Sequence, residues 1–200
     1  MRLNHKQRQA RMREVHAKAW EQVDALPESL REQIDLLPRV PIEIIACPLG
    51  KEVNHGGILR VAEAFRLQMV SFSYEGDGAN DFSGHRGAMR WQPYRWMDPM
   101  EALTSEGDCY KVALTLNDRA QDFATFEPKF PMRLVVGSEW SGVPDDIVAK
   151  CDACVAIPMY GLMGSLNVAT ATAIVVQKLA TDYAKTHGLT PVREESKKLL

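Results

Sequence analysis

Residues 157–177 read IPMYGLMGSLNVATATAIVVQ, a strand-like start, a loop with two glycines and the mouth of a long apolar helix in one run. Ser165 and Asn167 stand together at that mouth. One capping side chain suffices for a helix start, and Ser165 is suited to accept from the backbone N–H groups of the first turn. Asn167, with both a donor and an acceptor, is then left for another task. Downstream, Ile174, Val175, Val176 and Leu179 cover much of the helix circumference, so this helix is expected to be buried on more than one side.

Strands and helices alternate upstream of this unit. IEIIACPL (42–49), QMVSFSY (68–74), YKVALTL (110–116), RLVVGSE (133–139) and CVAIPMY (154–160) read as strands, and GGILRVAEAFRL (56–67), DPMEALTSEG (98–107) and PDDIVAK (144–150) as helices. Continuous apolar strands separated by helices imply an α/β fold, a parallel sheet covered on both faces. Before it, Met12, Val15, Ala19, Val23 and Leu26 recur at helical spacing, and Pro27 opens a second short helix bearing Leu30, Ile34 and Leu37. LPRVP (37–41) interrupts helical structure. The expected organisation is an N-terminal helical extension over 1–39, a main domain over 40–186 and a polar tail over 187–200.

The chain of 200 residues carries a net charge of −2, so no global basic field advertises nucleic-acid binding. Basic residues are nevertheless clustered. Arg8 and Arg11 lie in a basic N-terminal helix, and Arg86, Arg90 and Arg95 interleave with Trp91, Tyr94 and Trp96 in HRGAMRWQPYRW (85–96). That second pattern suits phosphate contact and base stacking, or equally a partly buried loop packing its tryptophans. The basic helix is compatible with RNA docking, a solvated face or a dimer brace. No apolar run reaches the ~20 residues that span a bilayer, and the N-terminus lacks a secretory signal, so a cytoplasmic location is expected. The four cysteines include one C-x-x-C, Cys151 and Cys154, without the second ligand pair of a structural zinc site; buried thiols and no metal are expected.

In parallel α/β sheets ligands bind beyond the carboxyl ends of the strands. Three loops follow strands here: NHGGILR (54–60), GSEWSGVP (137–144) and MYGLMGSLN (159–167). Neither the dinucleotide glycine fingerprint nor a nucleotide-triphosphate P-loop is present. This excludes a generic nicotinamide or nucleotide reading. Taken together, NHGGILRVAEAF (54–65), VVGSEWSGVP (135–144) and IPMYGLMGSLNVATATAI (157–174) resemble, in order and spacing, the three motifs of the SpoU (TrmH-like) branch of the SPOUT RNA methyltransferases. The similarity runs over roughly residues 42–183.

The resemblance implies a C-terminal deep trefoil knot, a homodimer, S-adenosylmethionine as cofactor and methylation of a ribose 2′-hydroxyl in tRNA or rRNA. It also implies a polar active-site set of Asn54, Arg60, Glu139, Ser165 and Asn167. Cofactor contacts are implied at Leu114, Gly137, Ile157, Ser165 and Leu166, with Thr115 an alternative to Leu114. Alanine follows Val168 where the family commonly has serine.

Arg60 is the family's proposed proton acceptor, yet a guanidinium with a pKa above ~12 stays charged. Binding phosphate and lowering the hydroxyl's pKa suit it better. Glu139 could hold Arg60 or favour the start of the following helix, and Asn54 could orient Arg60 or the RNA backbone. Each residue also has a plain role open to it: Arg60 as a solvated charge, Glu139 and Asn54 as caps or turn formers, Ser165 as an ordinary N-cap. An alternative to the enzyme is a non-catalytic RNA-binding or assembly protein on the same fold.

Overall fold

Val40–Ala46 form strand β1, whose side chains alternate between two cores: Ile42, Ile44 and Ala46 enter one, and Ile45 enters the other. The structure, a computed structural model, describes residues 36–74, 82, 84–138 and 140–190, with isolated positions 14, 28 and 32. After β1 come α1 (Glu52–Ala64), β2 (Leu67–Phe72), β3 (Tyr94–Trp96), α2 (Pro99–Thr104), β4 (Tyr110–Leu114), β5 (Gln121–Asp122), β6 (Met132–Val136), α3 (Asp145–Val148), β7 (Ala153–Ala156) and α4 (Val168–His187).

The seven strands form one sheet in the order β3-β2-β1-β6-β4-β7-β5, and every neighbouring pair is parallel. The late strand β6 lies between β1 and β4, while β4 pairs only with β6 and β7. On one face Ile58, Leu59 and Ala62 of α1 and Val175, Val176 and Leu179 of α4 pack on the sheet. On the other, Ala102 and Leu103 of α2 and Ile147 and Val148 of α3 do so. Each fully buried aliphatic side chain of this kind contributes roughly 1.5–3 kcal/mol. The expected parallel α/β architecture with two covered faces is therefore present. The N-terminal helical extension, with Arg8 and Arg11, lies almost wholly outside the described residues, as do residues 191–200 of the tail.

Two strands were not foreseen. β3 has three residues with an arginine at its centre, and β5 has two exposed polar residues, so neither carries an apolar run. The long helix also begins later than expected, at Val168. By contrast α2 starts where its local signals put it: Pro99 occupies the first turn and Asp98 accepts from the Met100 and Glu101 N–H groups at 2.9 and 3.0 Å.

β1 also places a charge, Glu43, on the face that carries Ile45. Its carboxylate accepts from Arg95 at 2.7 Å and from Arg133 at 3.3 Å. The buried Arg133 guanidinium further donates to the carbonyls of Leu103, Ser105 and Glu106. The two guanidinium groups and the Ser71 hydroxyl meet the desolvation cost that a lone glutamate would suffer there, and the three carbonyls do the same for Arg133.

All four cysteines are free thiols, and Cys47, Cys151 and Cys154 are buried. Burial, reinforced by the neighbouring Cys151, pushes the Cys47 thiol from an ordinary 9.0 up to about 12. Burial and the nearby Cys154 likewise push Cys151 up to about 12. A raised thiol pKa favours the folded state below the unfolded value and is lost as pH rises from about 9 towards 12. A thiol reagent at pH 8 is therefore expected to modify the half-buried Cys109 and leave the other three unreacted until the protein unfolds, checked by mass spectrometry of the labelled native chain. Rapid labelling of Cys47 in the native state would contradict this packing. Among the described residues, no cluster of three or more His, Cys, Asp or Glu side chains could hold a metal ion, and no helix is long and apolar enough to cross a membrane.

Candidate active site

Asn54 and Asn167 lie 113 residues apart in sequence, and the fold joins them: Asn167 Nδ2 donates to Asn54 Oδ1 at 2.9 Å. Asn54 is buried in the first turn of α1, and Asn167 is the N-cap of α4. The Asn167 Oδ1 accepts from the Ala169 and Thr170 N–H groups at 3.0 and 3.3 Å. One side chain thus caps its own helix with its oxygen and reaches a second helix with its nitrogen. This corrects the expectation for Ser165, which sits exposed in the preceding loop and does not cap α4.

The two helices can approach this closely because α1 carries Gly57. A Cβ at that position would stand 2.9 Å from the Ala169 Cβ, inside normal van der Waals contact. The starts of α1 and α4 consequently sit side by side, and both project partial positive charge.

Arg60 lies further along α1, about 9 Å of helical rise beyond Asn54. It is exposed and makes no ion pair among the described residues. Glu139, its expected partner, lies outside the described residues. Its neighbours nevertheless form a well-defined turn. Ser138 and Gly142 exchange backbone hydrogen bonds of 3.0 and 3.2 Å, and the Ser138 and Ser141 hydroxyls meet at 2.8 Å. Trp140 projects from this turn almost fully exposed.

Leu114, Gly137 and Ile157 come together at the carboxyl edge of three adjacent strands. Leu114 ends β4 in register with Val136 of β6 and Val155 of β7, and Gly137 and Ile157 follow those strands. Thr115 is held there by donating its N–H to the Val155 carbonyl at 3.0 Å. From Ile157 the chain runs to α4 through a loop in which Ser165 and Leu166 are exposed.

The residues expected to touch RNA separate into two groups. Arg86 and Arg90 are exposed, on a segment whose short 3₁₀ turn, Ala88–Arg90, packs against α1. Arg95 is different: it donates to Glu43 and to the Ser71 hydroxyl, each at 2.7 Å, so its guanidinium is committed to the sheet network rather than presented for phosphate. Tyr94 and Trp96 are likewise half-buried and packed against the core.

Sequence reading missed the object these rings belong to. His55, Phe72, Phe82, Tyr94 and Trp96 form one aromatic cluster, with His55–Phe72 and Phe72–Trp96 centroids at 5.2 and 5.5 Å. The cluster abuts the active-site candidates through His55, the residue after Asn54. The available signal was the density of aromatic residues between positions 72 and 96.

Comparison with known proteins gives the family and the fold. The model of the SpoU rRNA Methylase family matches residues 41–177. A tRNA (guanosine(18)-2′-O)-methyltransferase of Aquifex aeolicus is 30% identical over 138 residues, 66% of this chain and 65% of that protein. Its namesake from Escherichia coli K12 is 25% identical over 178 residues, 82% of this chain and 77% of that protein. The chain thus spans just under two thirds of the first relative's length. Among solved structures, the A. aeolicus TrmH/SpoU tRNA modifying enzyme superposes with a TM-score of 0.68 at 26% identity, covering 86% of this chain and 94% of that one. An AdoMet-bound rRNA methyltransferase from Sinorhizobium meliloti shares the fold, with a TM-score of 0.65 at 21% identity and coverage of 74% and 59%.

Proposed function

Because the chain belongs to the SpoU rRNA Methylase family, we propose that it transfers a methyl group from S-adenosylmethionine to a ribose 2′-hydroxyl of tRNA or rRNA. The observation that carries this reading is the Asn54–Asn167 hydrogen bond. It holds the first and third motifs against each other beside the carboxyl edge formed by Leu114, Gly137 and Ile157.

The residues at that edge fit the cofactor. Gly137 lets the 142–143 backbone pack directly against the strand end, where a side chain would collide with it, and so shapes the edge on which an adenosine would rest. Leu114 or Thr115, Gly137, Ile157, Ser165 and Leu166 are the residues that would hold it. When bound, S-adenosylmethionine supplies a methyl group already activated on a sulfonium. The work left to the protein is to place the ribose oxygen in line and to ease loss of its proton.

Arg60 serves this by binding RNA phosphate and stabilising the developing alkoxide as a fixed positive charge; it remains protonated throughout. Glu139 orients Arg60, and the Asn54–Asn167 pair fixes the floor beneath the ribose. The chain path from β7 through the 157–167 loop to α4 is read as the threading of a trefoil knot. A homodimer in the cytoplasm completes the proposal: Tyr160, Leu162, Met163 and Ile174 are exposed apolar residues around the loop and α4 that a second copy would cover.

The deciding experiment is transfer of labelled methyl from S-adenosylmethionine to unmodified tRNA and, separately, to unmodified rRNA, followed by nucleoside mass spectrometry. A 2′-O-methylated nucleoside is expected, with tRNA favoured because the two relatives described above are tRNA enzymes. No transfer to either RNA by a dimer that binds S-adenosylmethionine would defeat the reading.

A further inference from the structure

The aromatic cluster ends in a ring that remains open to solvent. Tyr74 is 50% exposed, whereas Phe72 and Phe82 beneath it are fully buried. Its ring lies 6.0 Å from that of Trp96 at an interplanar angle of 32°, and Trp96 lies 5.7 Å from His55. Two ring-to-ring steps therefore join Tyr74 to the residue adjoining Asn54.

The location follows from the sheet. Ser73 donates its N–H to the Ala46 carbonyl at 3.2 Å, so Tyr74 emerges at the carboxyl edge just beyond the ends of β2 and β1. β1 leads directly into the loop that starts α1. Arg86 and Arg90 are exposed on the segment that leads into β3, which is anchored through buried Phe82, Ala88 and Met89. Arg90 adjoins Trp91, whose carbonyl accepts from Arg39 ahead of β1, so it stands toward the amino edge, away from Tyr74.

We propose that Tyr74 is a stacking platform for an RNA base at or next to the methylated ribose, a positioning and specificity element that rests on the reading of the protein as an RNA methyltransferase. In-line approach of a ribose hydroxyl to a methyl donor held in a deep site is helped when its nucleotide is drawn out of the surrounding stack, and the displaced base then gains from a flat apolar partner. Tyr74 offers one whose tilt is set by Trp96 behind it, so little conformational entropy is lost on binding. Trp91, Tyr94 and Trp96 do not compete for the role as freely, because each is at least half-buried.

The test compares the full-length wild type with Tyr74→Phe and Tyr74→Ala on unmodified tRNA and rRNA. RNA affinity, kcat/KM for methyl transfer, S-adenosylmethionine affinity and Tm are measured for each. Tyr74→Phe is expected to match wild type on every measure. Tyr74→Ala should lose on the order of 10- to 100-fold in RNA affinity or kcat/KM while keeping Tm and cofactor affinity.

Wild-type RNA affinity and turnover in Tyr74→Ala would overturn the platform, and so would an equal loss in Tyr74→Phe, which would assign the role to the hydroxyl. If the wild type binds RNA without methylating it, the methyltransferase reading fails, and the difference in RNA affinity between the two variants still decides the platform. If the wild type binds neither RNA, both readings fall.

Discussion

Arg60→Ala is expected to lower the rate of methyl transfer by on the order of 100- to 1,000-fold while S-adenosylmethionine binding and the fold persist. The size is that of removing one preorganised charge from a site where negative charge develops, roughly 2.7–4 kcal/mol of transition-state stabilisation. Selectivity for the chemical step follows from position. Arg60 is an exposed residue of α1, whereas the proposed cofactor edge is built from β4, β6 and β7. Truncation opens no cavity in the core, so stability should change little. Arg60→Lys should recover only part of the loss, since a point charge does not reproduce the planar guanidinium fork. Single-turnover kinetics on cognate RNA, with calorimetric titration of S-adenosylmethionine, separate the two steps. Wild-type turnover in Arg60→Ala would remove Arg60 from the mechanism.

The second large effect is expected at Gly137. A Cβ there would stand 2.2 Å from the Gly142 carbonyl carbon, 2.5 Å from the Val143 nitrogen and 2.6 Å from the Gly142 oxygen. All three atoms are backbone, so no rotamer change relieves the collision. The turn held by the paired hydrogen bonds between Ser138 and Gly142 must move. Gly137→Ala should therefore cost about 3 kcal/mol, a fall in Tm of roughly 6–12 °C for a chain of this size. It should also abolish measurable S-adenosylmethionine binding, because the backbone at the strand edge is displaced. Differential scanning calorimetry and cofactor titration read the two consequences independently. Unchanged Tm would contradict the close approach, and unchanged affinity in a destabilised variant would remove Gly137 from the cofactor site.

The parallel sheet was legible because its central strands are continuous apolar runs, and the loops that matter were legible because they follow those strands. β3 and β5 were not, since three residues around an arginine and two exposed polar residues carry no periodicity. The roles of Ser165 and Asn167 could not be separated from sequence, as either type can cap a helix. What decides between them is a partner 113 residues away: Asn167 accepts from the α4 amides through its oxygen while its separate nitrogen donates to Asn54. Arg95 misled for a similar reason. Its neighbours suggested an RNA surface, but the nearest carboxylate in space, Glu43, is 52 residues distant in sequence.

The strand order also dictates a timetable for synthesis. β4 emerges from the ribosome with neither of its neighbours yet made, because β6 and β7 both lie C-terminal to it. Until then Val112 and Ala113, which end fully buried, have no strand on either side, and one edge of β1 stays open. The nascent chain therefore passes through an interval with unpaired, sticky edges, the condition that invites misassembly and the attention of chaperones. Asn167 arrives later still, so the site cannot form ahead of the domain that bears it.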